Sequence, residues 1–158
     1  MIYSNLNELK KVLPRKGRFL GIDVGTKKIG VAICDDLQKI ATPKTIIVRK
    51  SNLKDFNNLL SIIQENHIKA IIIGFPIKMD GSTNLISDFV MRFAINFDKF
   101  LDDMRIDNLV LAIFDERLSS FMARQNFKNR RDKNDNYDDI SASLILENFL
   151  NCLSEGED

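Results

Sequence analysis

Apolar and polar positions alternate in two different rhythms along this chain, and the order of those rhythms outlines a fold. Arg18–Asp23 (RFLGID) and Ile29–Cys34 (IGVAIC) are short apolar runs separated by the turn Gly25–Lys28, the pattern of two hairpin-linked strands. Gly25 supplies the backbone freedom that such a tight connection often needs. A third strand is expected over Lys44–Val48, set off by Pro43, which completes an antiparallel meander.

Beyond this point the period lengthens. Ser51 is a good helix N-cap, and Leu53, Phe56, Leu59, Leu60 and Ile63 recur at helical spacing. Lys69–Gly74 (KAIIIG) is nearly continuous in its apolar character, as in a strand covered on both faces. A second long helix is predicted from near Ser82, with Ile86, Phe89, Val90, Phe93 and Phe97 turned inward. Leu109–Phe114 (LVLAIF) reads as another buried strand, with Asp115 at its carboxyl end. A short helix after Leu118, a polar stretch and a last helix from about Asp138 to Cys152 complete the chain; a short helix leads it.

Helical crossovers favour parallel pairing of the later strands. The expectation is therefore an α/β fold: a mixed five-stranded sheet, three strands in an antiparallel meander and two parallel, with helices on both faces. The 158 residues suit one domain spanning 1–158, with 1–17 a leading segment and 154–158 a frayed tail.

Composition narrows the class of protein. Hydrophobic residues make up 44% and charged residues 28%, a globular balance, and no apolar run approaches the roughly 20 residues that span a bilayer. The polar amino terminus has no signal-peptide core, so a cytoplasmic location is expected. Cys34, Cys152 and the single His67 are too few for an ordinary four-ligand structural zinc site, and the two thiols read as small core hydrophobes in a reducing compartment. The net charge of +1 does not itself advertise nucleic-acid binding. Its distribution says more: Lys27 and Lys28 share a turn, while Arg124, Lys128, Arg130, Arg131 and Lys133 crowd one stretch that could track phosphates or form a solvated loop.

Three acids stand in unusual surroundings. Asp23 interrupts an apolar strand, Glu116 lies just beyond another, and Asp138 opens the last helix, where Ser141, Ala142 and Ser143 would permit close packing on the sheet. If the Arg18–Asp23 and Leu109–Phe114 strands are adjacent, Asp23 and Glu116 emerge side by side, and the last helix could bring Asp138 to them. Clustered carboxylates repel unless cations neutralise them, and an all-oxygen set suits magnesium or manganese. Two such ions could activate water and stabilise a departing oxygen, with Arg117, Lys27 and Lys28 on flanking phosphates. Each residue also has a plainer reading. Asp138 could be an N-cap, Asp139 could take its place as ligand, Glu116 and Arg117 could form a surface ion pair, and Asp23 could satisfy a turn.

The blocks GIDVGTKKIGVAICD, IIIGFPIKMDGS, FDERLSS and DDISASLILENFL, in that order, resemble the YqgF/RuvX family from Arg18 to Leu153. Its members are proposed pre-16S ribosomal RNA nucleases, formerly labelled Holliday junction resolvases. The resemblance implies a ribonuclease H-like fold akin to RuvC-type resolvases and an acidic site at Asp23, Glu116 and Asp138. It favours Asp138 over Asp139 because the family's acid precedes a small-residue pair by three positions, matched here by Ser141 and Ala142. Ser141 replaces the family's usual alanine, and DERLSS its usual threonine-containing ending. The stretch Lys128–Lys133 corresponds to a variable family loop, and Gly74, Pro76, Asp80 and Gly81 to a block near the active edge.

The expected activity is thus a metal-dependent nuclease, an endonuclease maturing the 5′ end of pre-16S rRNA alone or within ribosomal precursor particles, as a monomer or weak dimer. Branched-DNA resolution is the alternative substrate reading, and a non-catalytic RNA-binding assembly module the alternative class. GIDVGT also resembles the first phosphate-binding hairpin of sugar kinases and actin-like ATPases, but those proteins close two such domains around a nucleotide.

Overall fold

The structure is a computed structural model that describes residues 1–118 and 137–155; the side chains of Leu118, Tyr137, Asp138 and Asp139 fall outside that description. Six strands form one sheet: β1 (Ile2–Tyr3), β2 (Arg18–Val24), β3 (Lys28–Cys34), β4 (Ala41–Val48), β5 (Ile68–Phe75) and β6 (Val110–Asp115). Among the described residues the helices are α1 (Leu6–Val12), α2 (Asn52–Glu65), α3 (Leu85–Asp103) and α4 (Tyr137–Ser154), with a 3₁₀ turn at Glu116–Leu118. The strand order is β1-β6-β5-β2-β3-β4, parallel from β1 to β2 and antiparallel from β2 to β4.

Strand alternation divides the core into two layers. Leu20, Ile22, Val24, Ile71, Ile73 and Leu111 face α2 and α3, where Phe56, Phe93 and Phe97 pack with ring centroids 5.0 to 6.0 Å apart. The phenylalanine stripe of α3 is thus core at Phe93 and Phe97, whereas Ile86, expected to face inward, is 60% exposed. On the opposite face Phe19, Ala70, Ile72, Ala112 and Phe114 meet Leu9 of α1 and Ile145, Leu146 and Phe149 of α4. Phe149 stands 5.5 Å from Phe114 and 6.4 Å from Phe19, ring centre to ring centre.

The mixed sheet and its antiparallel meander agree with the sequence reading, but the strand count is six instead of five. The added strand, β1, has two residues, too few to show an alternation, and pairs at the edge with Leu111 and Ala112. Strand β4 begins at Ala41, so Pro43 lies inside it, which an edge strand tolerates because a proline there need donate no ladder hydrogen bond. Helix α3 starts at Leu85 behind an Asn84 cap; Ser82 instead donates its amide and hydroxyl to Asp80. A 3₁₀ turn covers Glu116–Leu118, and the short helix expected after Leu118 lies outside the described residues. Among the described residues no helix is long and apolar enough to cross a membrane.

Candidate active edge

The sequence pattern made the meeting of Asp23 and Glu116 depend on adjacency of their strands, and that adjacency does not occur. Strand β5 lies between β2 and β6. The two acids nevertheless reach the same end of the sheet, because both neighbours of β5 run parallel to it and carry their acids at their carboxyl ends. Ile22 is in register with Ile73, and Gly74 with Phe114, so Asp23 and Glu116 flank the last residues of β5.

Gly74 is what lets the gap be crossed. A Cβ built there would stand 2.8 Å from Oε1 of Glu116 and would collide with Cδ1 of Ile145. The Glu116 carboxylate therefore extends across the bare backbone of the intervening strand. Asp23 lies two residues beyond Gly21, whose own missing Cβ would meet the Ala142 carbonyl of α4 at 2.8 Å. By strand alternation Asp23, Gly21 and Gly74 share the α4 face. Asp23 is half-buried and Glu116 exposed.

Helix α4 approaches this edge with its amino-terminal end. Phe149 packs on Phe19 while the Ala142 carbonyl sits over Gly21, so the helix runs antiparallel to β2. Asp138 lies one turn before Ala142, about 6 Å further toward the Asp23 end at 1.5 Å per residue. The small residues foreseen to permit close packing do so at Ala142. Its first-turn backbone belongs to this end of the sheet, while the carboxylates of Asp138 and Asp139 lie outside the described residues.

Arg117 is committed differently from the ion pair with Glu116 considered above. Its Nε donates to both Asp115 carboxylate oxygens at 3.1 Å, Nη2 donates to Oδ2 at 2.7 Å, and its backbone amide donates to Oδ1 at 2.9 Å. That fork holds the guanidinium pKa above its ordinary value. Nη1 points elsewhere, 3.5 Å from where a Cβ on Gly81 would lie. The GFPIKMDGS block thus comes close to the candidate edge at Arg117. Hydrogen bonds from Ser82 lower the Asp80 pKa, with the Arg117 charge adding to the effect. The block is anchored at its start by the Ser87 hydroxyl, which donates to the Pro76 carbonyl, and closed by a Gly81 amide bond to the Lys78 carbonyl at 2.8 Å. Asp115 and this tether were not singled out from sequence, because the two segments are far apart in the chain and meet only on folding.

Lys27 is exposed in the turn that follows β2, whereas Lys28, expected in the same turn, is exposed as the first residue of β3. Lys128, Arg130 and Arg131 lie outside the described residues. Among the described residues no three His, Cys, Asp or Glu side chains are grouped to hold a metal ion. Two members of the expected trio are oxygen donors at one sheet end, and their hard, anionic character fits magnesium or manganese in place of zinc. The missing side chain of Gly74 leaves room there for the Glu116 carboxylate.

A sequence profile of the RuvX family, described as Holliday junction resolvase, matches residues 17–152. A proposed pre-16S rRNA nuclease of Ehrlichia chaffeensis is 35% identical over 157 residues, covering 97% of each chain. A protein of the same description from Rickettsia typhi is 36% identical over 157 residues, again covering 97% of each chain. In three dimensions, the yeast mitochondrial Holliday junction resolvase superposes with a TM-score of 0.57 at 13% identity, covering 94% of this chain and 84% of that one. Thermus thermophilus RuvC, in complex with a Holliday junction substrate, gives a TM-score of 0.50 at 11% identity, covering 87% and 93%. At such identities the two structures establish the shared resolvase fold, ribonuclease H-like in kind.

Proposed function

The chain belongs to the RuvX family, and from that premise we propose that it is a single-domain, metal-dependent nuclease that hydrolyses nucleic-acid phosphodiesters. The observation that carries the reading is the convergence of Asp23 and Glu116 on one sheet end across Gly74. Asp23 and Glu116, joined by Asp138 from the first turn of α4, are the residues that would hold magnesium or manganese. A divalent ion bound there supplies an acidified water and neutralises charge on the departing oxygen.

The protein's own part is to hold these groups still. Asp23 sits within the β2–β3 ladder, opposite Gly30, so its backbone cannot swing away from the edge. The 3₁₀ turn carries Glu116 over Gly74 of β5, the same spot that Ile145 covers from α4. Arg117, with its Nε and Nη2 fixed on Asp115, is pre-oriented to meet a phosphate flanking the scissile bond. Lys27 and Lys28, with Lys128, Arg130 and Arg131, would follow the strand away from the site.

The substrate we favour is the 5′ end of pre-16S rRNA, cut endonucleolytically in the cytoplasm, free or in a ribosomal precursor particle. Support for a pre-16S rRNA substrate comes from relatives matched over 97% of their length that are described as nucleases of that RNA. Four-way DNA is the second reading, favoured by the family's own description. Its symmetric resolution needs two active sites and hence two copies of the chain.

The test pairs a labelled small-subunit rRNA precursor with a four-way DNA junction, each in magnesium or chelator. Magnesium-dependent cutting of the RNA alone supports the proposal. Paired cuts in the junction alone keep the chemistry and overturn the substrate. Failure to cut either overturns the nuclease reading for the isolated chain.

A further inference from the structure

Arg49, between β4 and α2, has a side chain only 13% exposed, and all three corners of its guanidinium are used. Nε donates to Oδ2 of Asp55 at 3.0 Å, Nη2 to Oδ1 of Asn52 at 2.8 Å, and Nη1 to the carbonyl of Gly25 at 3.2 Å. Its backbone amide donates to the carbonyl of Lys27 at 2.9 Å. The rings of Phe89 and Phe93 lie 5.4 and 5.3 Å from its central carbon. Asp55, 1% exposed, also accepts from the Lys50 amide at 3.1 Å. One side chain therefore ties the β2–β3 turn to the starts of α2 and α3.

Stability alone does not account for this arrangement. A buried ion pair gains little over well-packed apolar residues of similar volume, because both charges must be stripped of water. An apolar replacement could fill the space between α2 and α3, yet it could not hold the Gly25 carbonyl. Lysine could keep a charge beside Asp55, yet its single ammonium cannot span the three acceptors as a planar fork does. The grip on Gly25 is the part only arginine provides.

That grip acts two residues from Asp23. Inside the turn, the Gly25 amide donates to the Lys28 carbonyl at 2.9 Å, and a Cβ at Gly25 would stand 2.7 Å from the same oxygen. Outside it, Arg49 holds the carbonyls of Gly25 and Lys27. The turn is fixed from both sides, and with it the end of β2 that carries Asp23.

We propose that Arg49 is a positioning residue of the acidic edge: its guanidinium locks the Gly25–Lys27 turn and so sets the Asp23 carboxylate for metal. The inference deepens the nuclease reading and rests on it. Asp55 and Asn52 orient the fork, and the aromatic rings of α3 keep water from competing for it.

The test uses the full chain as wild type, Arg49→Lys, the paired variant Arg49→Met with Asp55→Leu, and Asp23→Asn. Urea unfolding establishes that each variant is folded; the paired variant removes both charges together to avoid stranding one. Manganese affinity is then read by calorimetry without nucleic acid, and cleavage by steady-state kinetics. Arg49→Lys and the paired variant should bind manganese about tenfold more weakly, the scale seen when groups that orient metal ligands are removed. In cleavage, kcat should fall while KM for nucleic acid stays within about twofold. Wild-type manganese affinity in a folded Arg49 variant, with binding lost in Asp23→Asn, overturns the inference and leaves the nuclease reading standing. A wild-type chain that binds no manganese overturns the metal-site reading, and the inference with it.

Discussion

Oε1 of Glu116, in the turn that follows β6, stands 2.8 Å from the point where a side chain on Gly74 of β5 would begin. A carboxylate from the turn just beyond β6 is thereby carried over β5 toward the β2 side, where Asp23 lies. Gly74→Ala must push aside either that carboxylate or Ile145. The expected outcome is a stability loss of about 1–3 kcal/mol, typical of overpacking, with a disproportionate loss of cleavage. Urea unfolding and a cleavage assay on the same preparation separate the two effects. Wild-type cleavage in Gly74→Ala would contradict the geometry.

Gly21→Ala makes the matching case on the same face. Its new methyl would meet the Ala142 carbonyl and Cβ of Leu146, both at 2.8 Å, so the whole of α4 must lift. A stability loss of similar size, about 1–3 kcal/mol, is expected in urea unfolding. Because α4 carries Asp138, manganese affinity should fall too.

The acidic edge should be self-repelling in the absence of metal. In chelator, Asp23→Asn and Glu116→Gln are expected to unfold at higher urea than wild type, by on the order of 1 kcal/mol. Adding magnesium should reverse that order by stabilising wild type preferentially. Equal stability of all three chains under both conditions would count against a shared carboxylate site.

Asp55 gives a different result because it is buried with a partner. Asp55→Ala leaves the Arg49 guanidinium without its carboxylate in a site where Asp55 is 1% exposed. A cost of about 3–5 kcal/mol is expected from stranding one member of a buried pair. Thermal or urea unfolding measures it.

One stability term depends on pH at the far end of the sheet. Amides of Ile40 and Lys39 donate to Oδ1 of Asp35, both at 2.8 Å, and lower its pKa, the Ile40 bond contributing most. A depressed folded-state value means that the contribution is full above the unfolded pKa, about 3.9, and is lost as pH falls through the lower folded value. The stability gap between wild type and Asp35→Asn should therefore be constant near neutrality and close in acid. Urea midpoints between neutral pH and strong acid follow it; a gap that widens on acidification has the wrong sign.

The reach of the sequence can be judged from particular elements. KAIIIG announced a strand buried on both faces, and Ile71 and Ile73 do face one layer while Ala70 and Ile72 face the other. The helical spacing of Phe93 and Phe97 put them in the core, where both are buried. Strand order was not legible, since periodicity reports which residues are buried and says nothing of which strand lies beside which. That is why β5 was not foreseen between the two acids. Arg49 was overlooked because its partners at Gly25 and Asp55 are contacts made by folding, with no spacing signature of their own. Asp115 was noted only as a strand end, and its capture of Arg117 depends on the 3₁₀ turn that follows β6.

The central claim is that Asp23 and Glu116 act together on a phosphodiester through a divalent ion. Its most direct test is single-turnover cleavage of labelled rRNA precursor across a magnesium titration by wild type, Asp23→Asn and Glu116→Gln. The expected result is cutting that stops in chelator and falls by about two orders of magnitude or more in each variant. Cutting that persists in chelator, or at the wild-type rate in either variant, would contradict it.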